Sequence, residues 1–120
     1  MATLSITQTL SCADCGTDVL SISNTDSLTV QAPMTNNSRV SIATGSAQSL
    51  IPAIAPYSYI YIKVISGTNA SDFVQVLIAG NADIKMRVGE FMFVPIYNNK
   101  AVTAEAYGGA CVVEIGQWAI

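Results

Sequence analysis

From Asp83 to Val88 apolar and charged side chains alternate without interruption: Ile84, Met86 and Val88 point one way, Lys85 and Arg87 the other. A period of two marks a half-buried strand. Phe91 to Ile96 is apolar at every position, the pattern of a strand covered on both sides, and the intervening Gly89-Glu90 is short enough for a tight turn. The same alternation sets Tyr57, Tyr59 and Tyr61 on one face of a strand and Ile60, Ile62 and Val64 on the other. Turn-forming residues recur about every ten positions, the spacing of an all-β sandwich or barrel. Strands are predicted near 3–10, 19–23, 27–32, 38–43, 47–51, 57–65, 73–79, 82–88, 91–96, 101–107 and 111–119. No window has the three-and-four spacing of an amphipathic helix. The prediction is an antiparallel, jelly-roll-like β-sandwich with little or no helix.

Details of the turns sharpen this. Asn24-Thr25-Asp26 predicts a break between two strands, and Gly80-Asn81 and Asn98-Asn99 suit hairpins because Gly and Asn tolerate positive φ. Short connections among the last five strands predict antiparallel neighbours there, including the strands of Glu105 and Glu114 across Gly108-Gly109, with both carboxylates solvated on an outer face. Pro95 has no amide hydrogen, which places the end of its strand at a sheet edge or outside the sheet. Length fits one domain over residues 1–120. Its halves differ: the first 56 residues contain no aromatic side chain and four charges, Asp14, Asp18, Asp26 and Arg39. Large rings dominate core energetics, so the main core is expected in the second half. Residues 1–56 complete the same sandwich with lighter strands or include an extended arm on a neighbouring subunit.

Composition adds one unusual number. Charged residues make up 11% of the chain, against about 25% in an ordinary soluble domain. Ser, Thr, Asn and Gln take their place, so the exterior is polar but nearly neutral and poorly protected against self-association. Such an exterior points to surfaces covered by other protein, or else to a monomer solvated by its hydroxyls and amides. Five basic residues, scattered through a chain of net charge −3, supply no basic patch for nucleic acid. No apolar run approaches the ~20 residues of a membrane-spanning helix, and the first residues lack the pattern of a signal peptide. The expectation is synthesis in the cytosol, with no membrane and no nucleic-acid partner.

Few residues suggest chemistry. Cys12-Ala-Asp-Cys15 is a CxxC pair, readable as a disulfide or two thiols in a surface turn; no helix follows it to lower a thiol pKa, and a structural zinc site needs four ligands where the chain offers one more Cys and no His. Cys111 reads as a small buried hydrophobe. Absence of His removes the commonest general base. Glu90, Glu105 and Glu114 lie on three segments with no spacing that pairs them for glycoside chemistry. Asn24, Asp26, Asp14 and Asp18 lack a calcium-loop pattern and read as turn formers. No catalytic residue, metal or cofactor is assigned. The tyrosine stripe of Tyr57, Tyr59 and Tyr61 is a subunit contact, an intramolecular packing face or a sugar platform, since each ring has an apolar body and a polar tip. Trp118 is a core lid or an interface anchor.

From Gly89 on, the chain reads Gly-Glu-Phe-Met-Phe-Val-Pro-Ile, a turn, Ala-Val-Thr-Ala-Glu-Ala-Tyr, Gly-Gly, and Cys-Val-Val-Glu-Ile-Gly-Gln-Trp. This last third resembles the C-terminal part of small β-rich virion proteins of tailed bacteriophages, including capsid decoration (cement) proteins. The resemblance implies a non-enzymatic structural protein that forms a homo-oligomer such as a trimer, contacts the major capsid protein or another virion protein, and resides in the virion after assembly in the host cytoplasm. A neck or tail component is the neighbouring reading. A carbohydrate- or receptor-binding sandwich is the alternative from a different class.

Overall fold

The computed structural model describes residues 1–13, 20–30, 36–51, 57–97 and 100–119, with the side chains of 20, 36, 37, 57, 82, 83 and 97 excepted. The chain divides into two compact units, Met1–Ala32 and Pro33–Ile120. Every regular element among the described residues is a strand.

The first unit is a single hairpin. Strand β1 (Ala2–Cys12) pairs antiparallel with β2 (Leu20–Val30) through eleven uninterrupted partners, from Ala2↔Val30 to Cys12↔Leu20. The break expected at Asn24-Thr25-Asp26 is absent. These residues sit in the ladder opposite Gln8, Thr7 and Ile6 and are exposed, so their polar side chains remain solvated in an extended backbone. Asp26 Oδ1 accepts the Ser27 amide at 2.8 Å, a local bond that an extended chain can also make.

The second unit is organised from its innermost hairpin outwards. Strands β6 (Phe73–Ile78) and β7 (Asn81–Arg87) are joined by Ala79 (φ 54°) and Gly80 (φ 83°). Two positive φ values in a two-residue loop match the twist of a tight hairpin. Around it nest three further antiparallel pairs: β5 (Tyr57–Gly67) with β8 (Phe91–Tyr97), β4 (Gln48–Ile51) with β9 (Val102–Tyr107), and β3 (Asn36–Ile42) with β10 (Cys111–Ala119). Two more pairings, β10 with β5 and β6 with β9, roll this long ribbon into sheets of order β3-β10-β5-β8 and β4-β9-β6-β7. That nesting is the jelly roll, and the predicted all-β antiparallel sandwich is what the chain forms.

Chain neighbours therefore often lie in opposite sheets. Gly89-Glu90 does not close a hairpin between β7 and β8: β7 edges one sheet and β8 the other. The turn passes the chain across, with the Gly89 amide donating to the Val64 carbonyl at 2.8 Å, the Val64 amide to the Glu90 carbonyl at 3.1 Å, and the Arg87 amide to Glu90 Oε2 at 2.7 Å. Likewise β9 and β10 do not pair across Gly108-Gly109, so Glu105 and Glu114 belong to different sheets. Nor do β8 and β9 pair around 98–99, residues outside the described set. Pro95 lies in an edge strand, the place in a sheet where proline is tolerated.

The core is aliphatic. Ile42, Ile60, Ile62, Val64, Val113 and Ile115 from one sheet meet Ile51, Val74, Val76, Val102, Ala104 and Ala106 from the other, all essentially without solvent exposure. No aromatic ring is among the buried core residues described, against the expectation that rings would build it. Short branched side chains fill the ~10 Å between packed sheets, and the alternation in β5 leaves Tyr59 and Tyr61 on the other face.

One end of the sandwich is closed around a buried carboxylate that the sequence did not single out. Asp72, 2% exposed, accepts the Asn69 amide at 2.7 Å and donates its own amide to the Asn69 carbonyl at 3.1 Å. Gly108 (φ 90°) packs so closely that a Cβ there would lie 2.5 Å from Asp72 Oδ1. Gly108→Ala should therefore destabilise the unit by about 1–3 kcal/mol, combining backbone strain with displacement of the carboxylate, as read by urea unfolding. A change near zero would mean that the turn repacks freely.

Candidate functional site

The outer face of the β3-β10-β5-β8 sheet carries the side chains that are neither core nor ordinary polar surface. Period two sends Tyr59 and Tyr61 outward from β5, and the register places Tyr59 opposite Pro95 and Trp118, and Tyr61 opposite Phe93 and Gly116. Phe91, Phe93 and Pro95 share the outward face of β8. The uniformly apolar run 91–96 thus has only one face in the core: Met92, Val94 and Ile96 pack inward, while Phe91 is 63% exposed. The expectation of a strand covered on both sides fails because β8 is an edge strand on which the outward Phe91 and Pro95 stay exposed.

The rings touch one another. Tyr59 and Phe93 stack diagonally across β5 and β8, centroids 5.5 Å apart and planes 5° from parallel. Phe93 meets Trp118 at 6.1 Å with a 56° tilt. Cross-strand aromatic pairs of this kind add roughly 0.5–1.5 kcal/mol beyond their burial. They hold each ring in place while leaving it partly exposed. Gly116 faces outward beside Tyr61 and contributes no side chain, as glycine does in strands approached closely by another group.

At the far end of the same face, Arg39 Nε meets Glu114 Oε2 at 3.3 Å, an exposed pair worth little to stability. Burial, then the Glu114 carboxylate, raises the Tyr61 hydroxyl above the usual phenol range, so it stays neutral and donating at physiological pH. Of the residues expected to mark an interface, the structure brings together Tyr59, Tyr61 and Trp118; Tyr57 continues β5 in register with Tyr97, but its side chain is outside the described set. Phe91, Phe93 and Pro95 were missed. Their own period of two, read against the tyrosine stripe, carried the signal.

The opposite outer face is more polar. Lys85 Nζ lies 3.9 Å over the Phe73 ring, Phe73 stacks on Tyr107 at 5.0 Å, and the Tyr107 hydroxyl lies 3.0 Å from Gln75 Oε1 and 3.1 Å from Glu105 Oε2. The bond to Glu105, then desolvation and that same negative charge, raises the Tyr107 pKa. Here Glu105 is engaged by a phenol rather than poised beside a second carboxylate.

Cys12 is disulfide-bonded; Cys15, like Asp14 and Asp18, lies outside the described residues. Cys111 is a free, buried thiol whose pKa is raised first by burial and then by Asp72, an inert setting. Among the described residues no three His, Cys, Asp or Glu side chains converge as metal ligands would. In the core, Gln117 Nε2 donates to Ser58 Oγ at 3.2 Å. What the aromatic face offers chemically is apolar contact, ring stacking and a few hydroxyl donors. No protein family, curated protein or solved structure matches this chain.

Proposed function

We propose that the chain is a structural protein of a virion, a capsid decoration or cement protein that forms a homo-oligomer and stabilises a phage head by binding its major capsid protein. The observation that carries this reading is the placement of the rings. A sandwich whose core holds no ring among the described residues keeps Tyr59, Tyr61, Phe91, Phe93 and Trp118 on one outer sheet face. Aromatic side chains are enriched where proteins meet, and contiguous exposed apolar surface is uncommon on a monomer without a partner. A nearly uncharged exterior and the resemblance of the last third to phage virion proteins point the same way. Jelly rolls serve as both capsid and lectin domains, so the fold alone does not choose between them.

A second reading has its own support: the near-parallel Tyr59–Phe93 stack beside Trp118 is a platform on which a sugar ring could lie. The two part experimentally. Particles purified from the cells that express the chain should contain it in stoichiometric amount by mass spectrometry. Its absence from particles, combined with glycan-array binding lost in Tyr59→Ala, would replace the virion reading with the lectin-like one.

A further inference from the structure

The hairpin of β1 and β2 sorts its side chains by face. Five cross-strand pairs, from Thr3↔Thr29 to Ser11↔Ser21, consist only of Ser and Thr, so one face is a continuous array of hydroxyls. The other face carries Leu4, Ile6 and Leu10 from β1 and Ile22, Leu28 and Val30 from β2, with Gln8↔Asn24 across its middle and Asp26 opposite Ile6. This is the patterning of a sheet with a core on one side. Yet the sheet has two strands, and exposure climbs along this face from Val30 at 3%, through half-buried Leu4, Ile6 and Leu28, to Ile22 at 41% and Leu10 at 48%, so its open part is the Leu10/Ile22 end.

A two-stranded ribbon is at best marginally stable in water, and this one is long, about 37 Å for eleven residues. Among the described residues each strand also has one edge with no strand partner. Natural sheet edges are guarded by lysines, prolines, bulges or shortness. Neither strand contains Lys, Arg or Pro, and the ladder has no register shift.

We infer that copies of this same chain close these edges: β1 of one copy pairs with β2 of the next, and a cyclic oligomer of at least three copies joins the hairpins into an antiparallel barrel. Three features select the occupant. Because β1 and β2 run in opposite directions and have equal length, β2 of one copy beside β1 of the next repeats the geometry already present, and a repeated head-to-tail contact closes into a ring. The only ionised side chain in the two strands is Asp26, which matches neither a basic nor an acidic partner but does match a second neutral arm. Finally, each arm would bury an apolar face of about 37 Å by 10 Å and two backbone edges, approaching the ~800 Å² per partner of a standard interface.

Two copies supply four strands, too few to enclose a layer of side chains, whereas three supply six. The leucines and isoleucines then fill the interior and the hydroxyls face water. The Gln8/Asn24 layer would fix the register, as a lone buried Asn does in coiled coils. Asp26 places one carboxylate per copy inside, at a cost. The inference shares an oligomer with the virion reading but stands without it, since particle association is a separate measurement.

Adjacent residues give the test. In the full-length chain Leu10→Lys should convert the oligomer to monomer by native mass spectrometry, because Leu10 faces the barrel interior, while an isolated hairpin would accommodate a lysine at a half-exposed site. Thr9→Lys, on the hydroxyl face, should leave the oligomer intact, and Asp26→Asn should raise the temperature at which it dissociates. A monomeric parent chain, an oligomer that survives Leu10→Lys, or one that Thr9→Lys disrupts equally would overturn the inference. Hydrogen exchange on the unsubstituted oligomer is independent of these variants. A barrel protects consecutive amides along β1 and β2, whereas slow exchange confined to alternate amides means a lone hairpin and also overturns it.

Discussion

Ile62→Ala should lower the stability of the second unit by about 2–5 kcal/mol, while Tyr61→Ala, one residue earlier, should cost roughly 1 kcal/mol or less. Ile62 lies mid-strand in β5, paired with Ile115 of β10 on one side and Met92 of β8 on the other, and has no solvent exposure. Removing its branched end leaves a cavity between two sheets whose separation is set by the surrounding Ile and Val, so little can collapse into it. For a unit of this size each kcal/mol moves the thermal midpoint by about 4–8 °C, so the two variants should differ by at least about 4 °C in calorimetry. Equal shifts would mean that Tyr61 bears on a buried layer of its own and that the sandwich has no single core.

That contrast between neighbours rests on alternation, the part of the fold most legible in the sequence. Residues 84–88, 57–65 and 111–119 announced their strands because each must send every second side chain into one core, and Pro95 announced an edge because it cannot donate. Pairing was not legible to the same degree. A short Gly-containing link such as Gly89-Glu90 or Gly108-Gly109 reads as a hairpin locally, yet in a jelly roll only β6 and β7, the innermost pair, are both adjacent in the chain and hydrogen-bonded. Which short links cross between sheets is decided by the nesting of distant strands, as when β3 meets β10.

The aromatic face was half legible for a related reason. The stripe on β5 was visible within one strand. Phe91 and Phe93 were masked by apolar neighbours that face the core, and only the pairing of β5 with β8 brings the two rows together. The first unit was misread at Asn24-Thr25-Asp26 because these residues favour turns when nothing opposes them. A facing strand with the same hydroxyl-and-amide character supplies a ladder instead. Asp72 left no local sign, since its burial depends on Gly108 and Gly109 some 36 positions away in the chain.

On the virion reading, Trp118→Ala should weaken association with the particle by roughly 30- to 1,000-fold, the loss expected when a central interface anchor worth about 2–4 kcal/mol is truncated. Trp118 sits near the end of β10, opposite Tyr59 in the register and 6.1 Å from Phe93, so a docked surface would cover it together with both rings. The fold should survive: Trp118 is half-buried on an outer face and outside the core cluster, which limits the stability cost to about 1–2 kcal/mol. Lys85→Ala, on the opposite sheet, should leave binding unchanged. As the only tryptophan of the chain, Trp118 also reports on its own surroundings. In the native chain its emission should shift to the blue and its quenching by acrylamide should fall when the protein binds particles assembled without it. Wild-type affinity in Trp118→Ala, or unchanged fluorescence on binding, would show that another face makes the contact and that the stacked rings serve only to cover their own sheet.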